Sequence, residues 1–286
     1  MLAALGGLGT LEDKRVLLKP NLLSAGPGPL PCTEASFILA VAHLFVAGKA
    51  VVCIGDSPAF GSARSVLARL GILQELLSLG VTVSDFRQTR EVQLPSGIQA
   101  RVACRALDCD LLVNMPRIKA HAQTRVTLAV KNCFGCLTGL QKPFWHMIHG
   151  GRHGLFARLL VELPQVLPPV LTLVDGIRVM HCTGPMQGHP YPLKIVAAGW
   201  NPVAVDMALL RVLGVEWADS PLHRTARKLK LPGSHCKEIH FPLAHPLSLA
   251  VDDFQVPAQL APIRFRPFSF LYSSLKRTLL SLADRE

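Results

Sequence analysis

Between Leu111 and Val161 the chain has no aspartate and no glutamate, although seven lysines or arginines and four histidines fall there. A segment with no negative charge of its own needs an anion from elsewhere, either a ligand or an acidic neighbour in the fold. Long apolar runs are missing as well. The best candidate, Leu155 to Val174, is broken by Arg158, Glu162, Pro164, Pro168 and Pro169, short of the roughly 18 to 20 residues that a spanning helix needs. A soluble protein is expected. The opening MLAALGGLGTLEDK has no basic leader and runs into Glu12 and Asp13 without a cleavage signal, which predicts no signal peptide and a cytoplasmic location. Aromatic residues make up only 6% of the 286 residues, and no DNA- or RNA-binding motif accompanies them. This argues against a nucleic-acid binder, even at a formal net charge of +11 and a pI near 9.6.

Two phosphate-binding signatures are also absent. The segment GDSPAFGSA, 55–63, follows a strand pattern and opens a helix pattern, the place where backbone amides can hold an anion. It lacks both the Lys-Ser/Thr ending of a P-loop and the G-x-G-x-x-G spacing of dinucleotide folds. Asp56 and Ser57 are candidates to orient a ligand or a cation, with an ordinary capped turn as the alternative. Eight cysteines, at 32, 53, 104, 109, 133, 136, 182 and 236, are scattered without an export signal, so reduced and mostly buried thiols are expected. Cys133-x-x-Cys136 is half a zinc motif with no second half. Cys136, in a glycine-bounded stretch near Lys131, is the candidate for an exposed thiolate. His146, His149 and His153 share a helical spacing that Gly150 and Gly151 interrupt, and they read as surface or anion-facing residues rather than metal ligands.

What is present is an alternation of strand and helix patterns. Strands are predicted over 15–19, 50–55, 81–86, 110–114, 170–175 and 194–199, and helices over 34–47, 65–79 (broken near Gly71) and 203–213. A hairpin is predicted over 91–102, turning at Pro95, Ser96 and Gly97. The fold class is therefore α/β, with a mostly parallel (mixed) sheet flanked by helices. Polar loops follow four of the strands, and in such sheets ligands bind beyond the carboxyl ends. Residues 1–215 carry this rhythm. Residues 216–286 read as an irregular, proline-rich extension packing on it. Its end, PIRFRPFSFLYSSLKRTLLSLADRE, is either a docked terminal helix or a basic amphipathic helix making peripheral membrane contact.

Chemistry concentrates in NMPRIKAHAQTRVTLAVKNCFGC. Alternation along an extended stretch puts Lys119 and His121 on one side, the lysine suited to neutralising an anion and the histidine to exchanging a proton as a general acid or base. The order KPNLL, GDSPAFGSA, the K-x-H and KN-x-F-G-C segment, VDGIRVMHCTGPMQG and AGWNPVAVDMALLRVLG resembles the family called domain of unknown function 362, over roughly residues 14 to 215. The resemblance implies Lys19, Asn21, Asp56, Lys119, His121, Lys131, Asn132, Cys136, Asp175 and Asp206 as site residues, and an association with iron-sulfur proteins. Two departures stand out. No C-x-x-C-x-x-C-x-x-x-C-P run is encoded, so no iron-sulfur motif lies in this chain and its cofactor is left open, and PCTEAS leaves Thr33 without the expected neighbours. The resulting expectation is a cytoplasmic protein that binds a small anionic molecule at the strand ends. The alternative is a redox accessory protein that works with a separate ferredoxin-type partner through Cys136.

Overall fold

In the computed structural model, residues 1–138 are described except 25, 27, 29 and 60, together with 145 and 154–261. The three histidines at 146, 149 and 153 and the basic tail lie outside the described residues.

The central sheet takes its order from apolar strands that must be covered on both faces. β1 (Arg15–Pro20) pairs in parallel with β2 (Val51–Gly55) on one side and with β6 (Leu111–Met115) on the other, and β2 carries β3 (Thr82–Ser84) in parallel at the edge. β6 pairs in parallel with β9 (Val170–His181), whose far half receives β7 (Arg117–His121). β7 turns back antiparallel into β8 (Arg125–Thr127). β10 (His189–Tyr191) and β11 (Ile195–Gly199) add antiparallel edges to β9. The sheet is mixed but mostly parallel at its centre. The predicted hairpin forms as β4 (Thr89–Gln93) and β5 (Gln99–Ala103), in a two-stranded sheet of its own.

Strand alternation divides the core. Leu17 and Leu112 face one apolar cluster, while Val16, Leu18, Leu111 and Val113 face another. The second cluster is closed by α1 (Ala35–Ala47), α2 (Ala63–Arg69) and α3 (Leu73–Ser78). A short α4 (Cys104–Leu107) follows the hairpin. The first cluster is closed by α5 (Ala129–Cys133), α6 (Leu155–Glu162), α7 (Pro202–Val212) and α8 (Pro221–Lys228). Local chemistry sets the boundaries: Ser62 and Ser65 cap α2 reciprocally, and Asn201 accepts from the amides of Val203 and Ala204 ahead of Pro202 in α7. No helix among the described residues is long and apolar enough to cross a membrane.

β7 is the element that the sequence patterns underplay. Pro116 breaks the run from β6, and its carbonyl accepts from Asp175 N, so the chain goes on beside the second half of β9 instead of turning into a helix. β9 is correspondingly twelve residues long, twice the predicted strand.

Candidate functional site

Three of the polar loops predicted at strand ends meet at the carboxyl end of β1. The pattern that sends Leu17 into the core sends Lys19 the same way, and its Nζ donates to Asp56 Oδ1 at 2.9 Å from the loop after β2. Asp56 also accepts from Leu22 N and Ser57 N, both at 2.8 Å, so the turn around Ser57 is built on this carboxylate. Lys19 and Asp56 are both buried. Gly135 of the KN-x-F-G-C segment lies over the pair: a Cβ there would collide with Asp56 Oδ1 and Lys19 Nζ, which explains the glycine as close backbone approach.

A chain of side-chain amides extends from here. Lys119 Nζ donates to Asn21 Oδ1, Asn21 Nδ2 to Asn132 Oδ1 at 2.9 Å, Asn132 Nδ2 to Asn114 Oδ1 at 2.8 Å, and Asn114 Nδ2 to the Ala129 carbonyl at 3.0 Å. An ammonium that can only donate and a carbonyl that can only accept bound the chain, so each amide has one consistent orientation. The second acceptor of Lys119 is the carbonyl of Pro31, at 2.8 Å. Both partners are neutral, and among the described residues no carboxylate lies within ion-pair distance of this fully buried ammonium. Burial first, and Arg117 and Lys19 after it, pull Lys119 down to about 8, against the influence of Cys32 and Asp56.

His121 is held differently. Its Nδ1 accepts from the amides of Gln123 at 3.0 Å and Thr124 at 3.3 Å, so in the neutral ring the proton is on Nε2. Burial, with Lys131 and Lys119 nearby, holds the imidazole well below its ordinary range. Lys131 lies in α5 with its ammonium 4.6 Å from the centre of the Phe134 ring.

Other candidates fall into neighbouring networks. Asp175 accepts from Glu34 N at 2.8 Å and faces Arg117 Nε at 3.7 Å, and burial raises its carboxyl against the pull of that guanidinium. Arg117 also donates to the carbonyls of Cys32 and Arg178 and to Glu34. Asp206 accepts from Ala129 N at 2.6 Å and Val130 N at 3.2 Å, which caps α5 from α7, and it meets His223 Nε2 at 3.2 Å.

One expectation is corrected. Cys136 is fully buried in the apolar core, whereas Cys53, inside β2, is partly exposed. The segment before it folds into α5 and a 3-10 turn, Phe134–Cys136, that packs its side chains inward. Burial and Cys136 together push the Cys133 thiol well above its ordinary value. Residues that the motifs did not single out are also present: Arg117, Asn114, Glu34 and His223. Arg117, Lys119 and His121 stand at alternate positions of β7, a pattern visible as R-x-K-x-H. Thr33 Oγ1 donates to Met115 O and accepts from Asn21 N, both at 2.8 Å, tying its loop to β1 and β6.

These features define an α/β protein with a buried, cation-rich polar network at the strand ends. The chain belongs to the family described as domain of unknown function (DUF362), whose profile matches residues 16–211. It is 37% identical over 280 residues to a thylakoid-associated protein of Synechocystis sp., covering 96% of this chain and 87% of that protein. Among solved structures, the lactate racemase apoprotein from Thermoanaerobacterium thermosaccharolyticum matches at 16% identity and a TM-score of 0.39, over 57% of this chain and 42% of that one.

Proposed function

We propose that the protein binds a small anionic ligand at the carboxyl ends of β1, β2 and β7, with Lys119 as the cation that meets it. The observation that carries this reading is a buried ammonium whose hydrogen-bond partners among the described residues are neutral acceptors. An uncompensated buried charge is expensive, and an anion that displaced Asn21 or the Pro31 carbonyl from Nζ would relieve it. His121 would serve beside it as a neutral donor through Nε2–H. The general-base role is less well supported, because two backbone amides already occupy the Nδ1 lone pair. Lys131 would add positive potential, while Asp56 with Ser57, and Asp175, would hold the surrounding loops. Burial of Cys133 and Cys136 favours this reading over docking of a separate ferredoxin through Cys136.

The same reading keeps the chain in the cytoplasm, with peripheral membrane contact through its basic C-terminal tail. The support for the latter is the tail's composition and the relative named as thylakoid-associated. Co-sedimentation of the full chain with anionic vesicles tests it.

The ligand proposal is tested by thermal melting of the full chain against inorganic phosphate, phosphorylated metabolites and short carboxylates, with metal analysis of the same sample. At least one anion should raise the melting temperature, and Lys119→Ala should reduce that rise. A colourless protein that no anion stabilises overturns the reading. A brown protein with bound iron would favour the redox alternative.

A further inference from the structure

Behind α5 lies a second polar chain that the anion reading does not use. Asp206 Oδ2 meets His223 Nε2 at 3.2 Å, and His223 Nδ1 meets Ser220 Oγ at 2.7 Å. Ser220 Oγ also donates to the Thr124 carbonyl at 3.2 Å, and Thr124 N is one of the two amides that hold His121 Nδ1. Asp206, His223, Ser220, Thr124 and His121 are all buried.

A hydroxyl has one proton to donate, and this restricts the states. If Ser220 donates to Thr124 O, then His223 Nδ1 must be the donor to Ser220. The Nε2 contact is then a hydrogen bond only if Asp206 and His223 hold a further proton between them, as imidazolium with carboxylate or as neutral imidazole with carboxylic acid. If that proton leaves, His223 becomes the Nε2–H tautomer. Its Nδ1 then accepts the hydrogen bond of Ser220 Oγ–H, and Thr124 O loses that donor.

We propose that Asp206 and His223 jointly retain this proton, and that its presence keeps Ser220 bonded to Thr124, which makes His223 a positioning residue for His121. Its consequence for function rests on the anion-site reading. The neutral pair is the one that suits burial, since loss of the proton would leave a net negative charge in the core. Burial raises the Asp206 carboxyl, in agreement with the geometry. The Cys133 thiol of α5 also senses Asp206, Arg125 of β8 donates to the Asp219 carbonyl, and Arg224 of α8 turns to Ala218 O.

The test is nitrogen NMR of the histidine rings in the full chain, with no anion present, so its outcome is independent of ligand binding. His223 should carry a proton on Nδ1 at neutral pH, alone or together with one on Nε2. When the Asp206–His223 pair gives up the shared proton, His223 should become the Nε2–H tautomer, and the Thr124 amide and His121 ring signals should move with that change. In Ser220→Ala the His223 transition should persist while Thr124 and His121 no longer follow it. An Nε2–H tautomer at neutral pH overturns the shared proton. A pair that keeps its proton to the alkaline limit of folding, or that loses it while Thr124 and His121 stay still in the unmodified chain, overturns the positioning role. If Ser220→Ala does not fold, the titration of the unmodified chain decides alone.

Discussion

Lys119 is where the energetics of the site are most exposed to test. Its folded value near 8 lies below the ordinary lysine value of 10.5, so between those two values the unfolded chain binds the proton that the native state has released. Stability therefore rises with pH across that window, and below about 8 the full penalty of the buried charge is present. Lys119→Met should gain on the unmodified protein at pH 7, and its advantage should shrink from about pH 8 to about pH 10.5; denaturant titrations at several pH values read this directly. The sign reverses for ligand binding, since an anion needs the charged form. Affinity should be flat below about pH 8 and fall above it by up to about tenfold per unit. Gly135 gives a prediction of a different kind. Any side chain there strikes the Lys19 and Asp56 pair, so Gly135→Ala should destabilise the protein by about 1 to 3 kcal/mol, the scale of an overpacked core. Thiol labelling of the native protein should modify Cys53 well before Cys136, and equal rates would contradict the packing of the KN-x-F-G-C turn.

Among the elements, α5 is the one on which the site turns, and it is too short to be stable by propensity alone. Its first amides are held by Asp206 from α7, which is itself held by His223. Asp206→Ala should cost about 3 kcal/mol or more, because it strips both amides and a buried histidine of their partner. Asn201→Ala, which removes only a cap of α7, should cost about 1 kcal/mol. Chemical denaturation of the two variants side by side measures the difference. The strands β1, β2, β6 and β11 were legible because their apolar runs are bounded by turn residues. β7 was legible only in the alternation of Lys119 and His121, because R-I-K-A-H buries a guanidinium, an ammonium and a neutral imidazole, and an alternation of basic and apolar residues looks like a solvated edge. The inward turn of Cys136 was equally hidden, since a glycine beside a cysteine suggests a loop until the pair beneath Gly135 is seen.

At the scale of the whole molecule, the doubly covered sheet brings together loops that are far apart in sequence. Lys19, Asn21, Asp56, Lys119 and Asn132 were implied as a set by the family resemblance, and each sits at or just beyond a strand end or in the carboxylate-free segment. Their grouping into one bonded network, with Asp175 and Asp206 in separate ones, depends on long-range contacts that no local pattern encodes. The absence of acidic residues from 111 to 161 is partly answered by the fold, since Asp56, Glu34, Asp175 and Asp206 come from other segments. Lys119 is a fully buried cation that has no ion-pair partner among the described residues. The central claim is that an anion fills this role, and the most direct test is calorimetric titration of inorganic phosphate and of short dicarboxylates into the full chain and into Lys119→Met at pH 7. The account predicts that the unmodified protein binds at least one of these anions and that the variant, still folded, binds it more weakly by about 1 to 3 kcal/mol, the scale of one charge-assisted hydrogen bond. Equal affinity in the two proteins, or no binding by either, would contradict it.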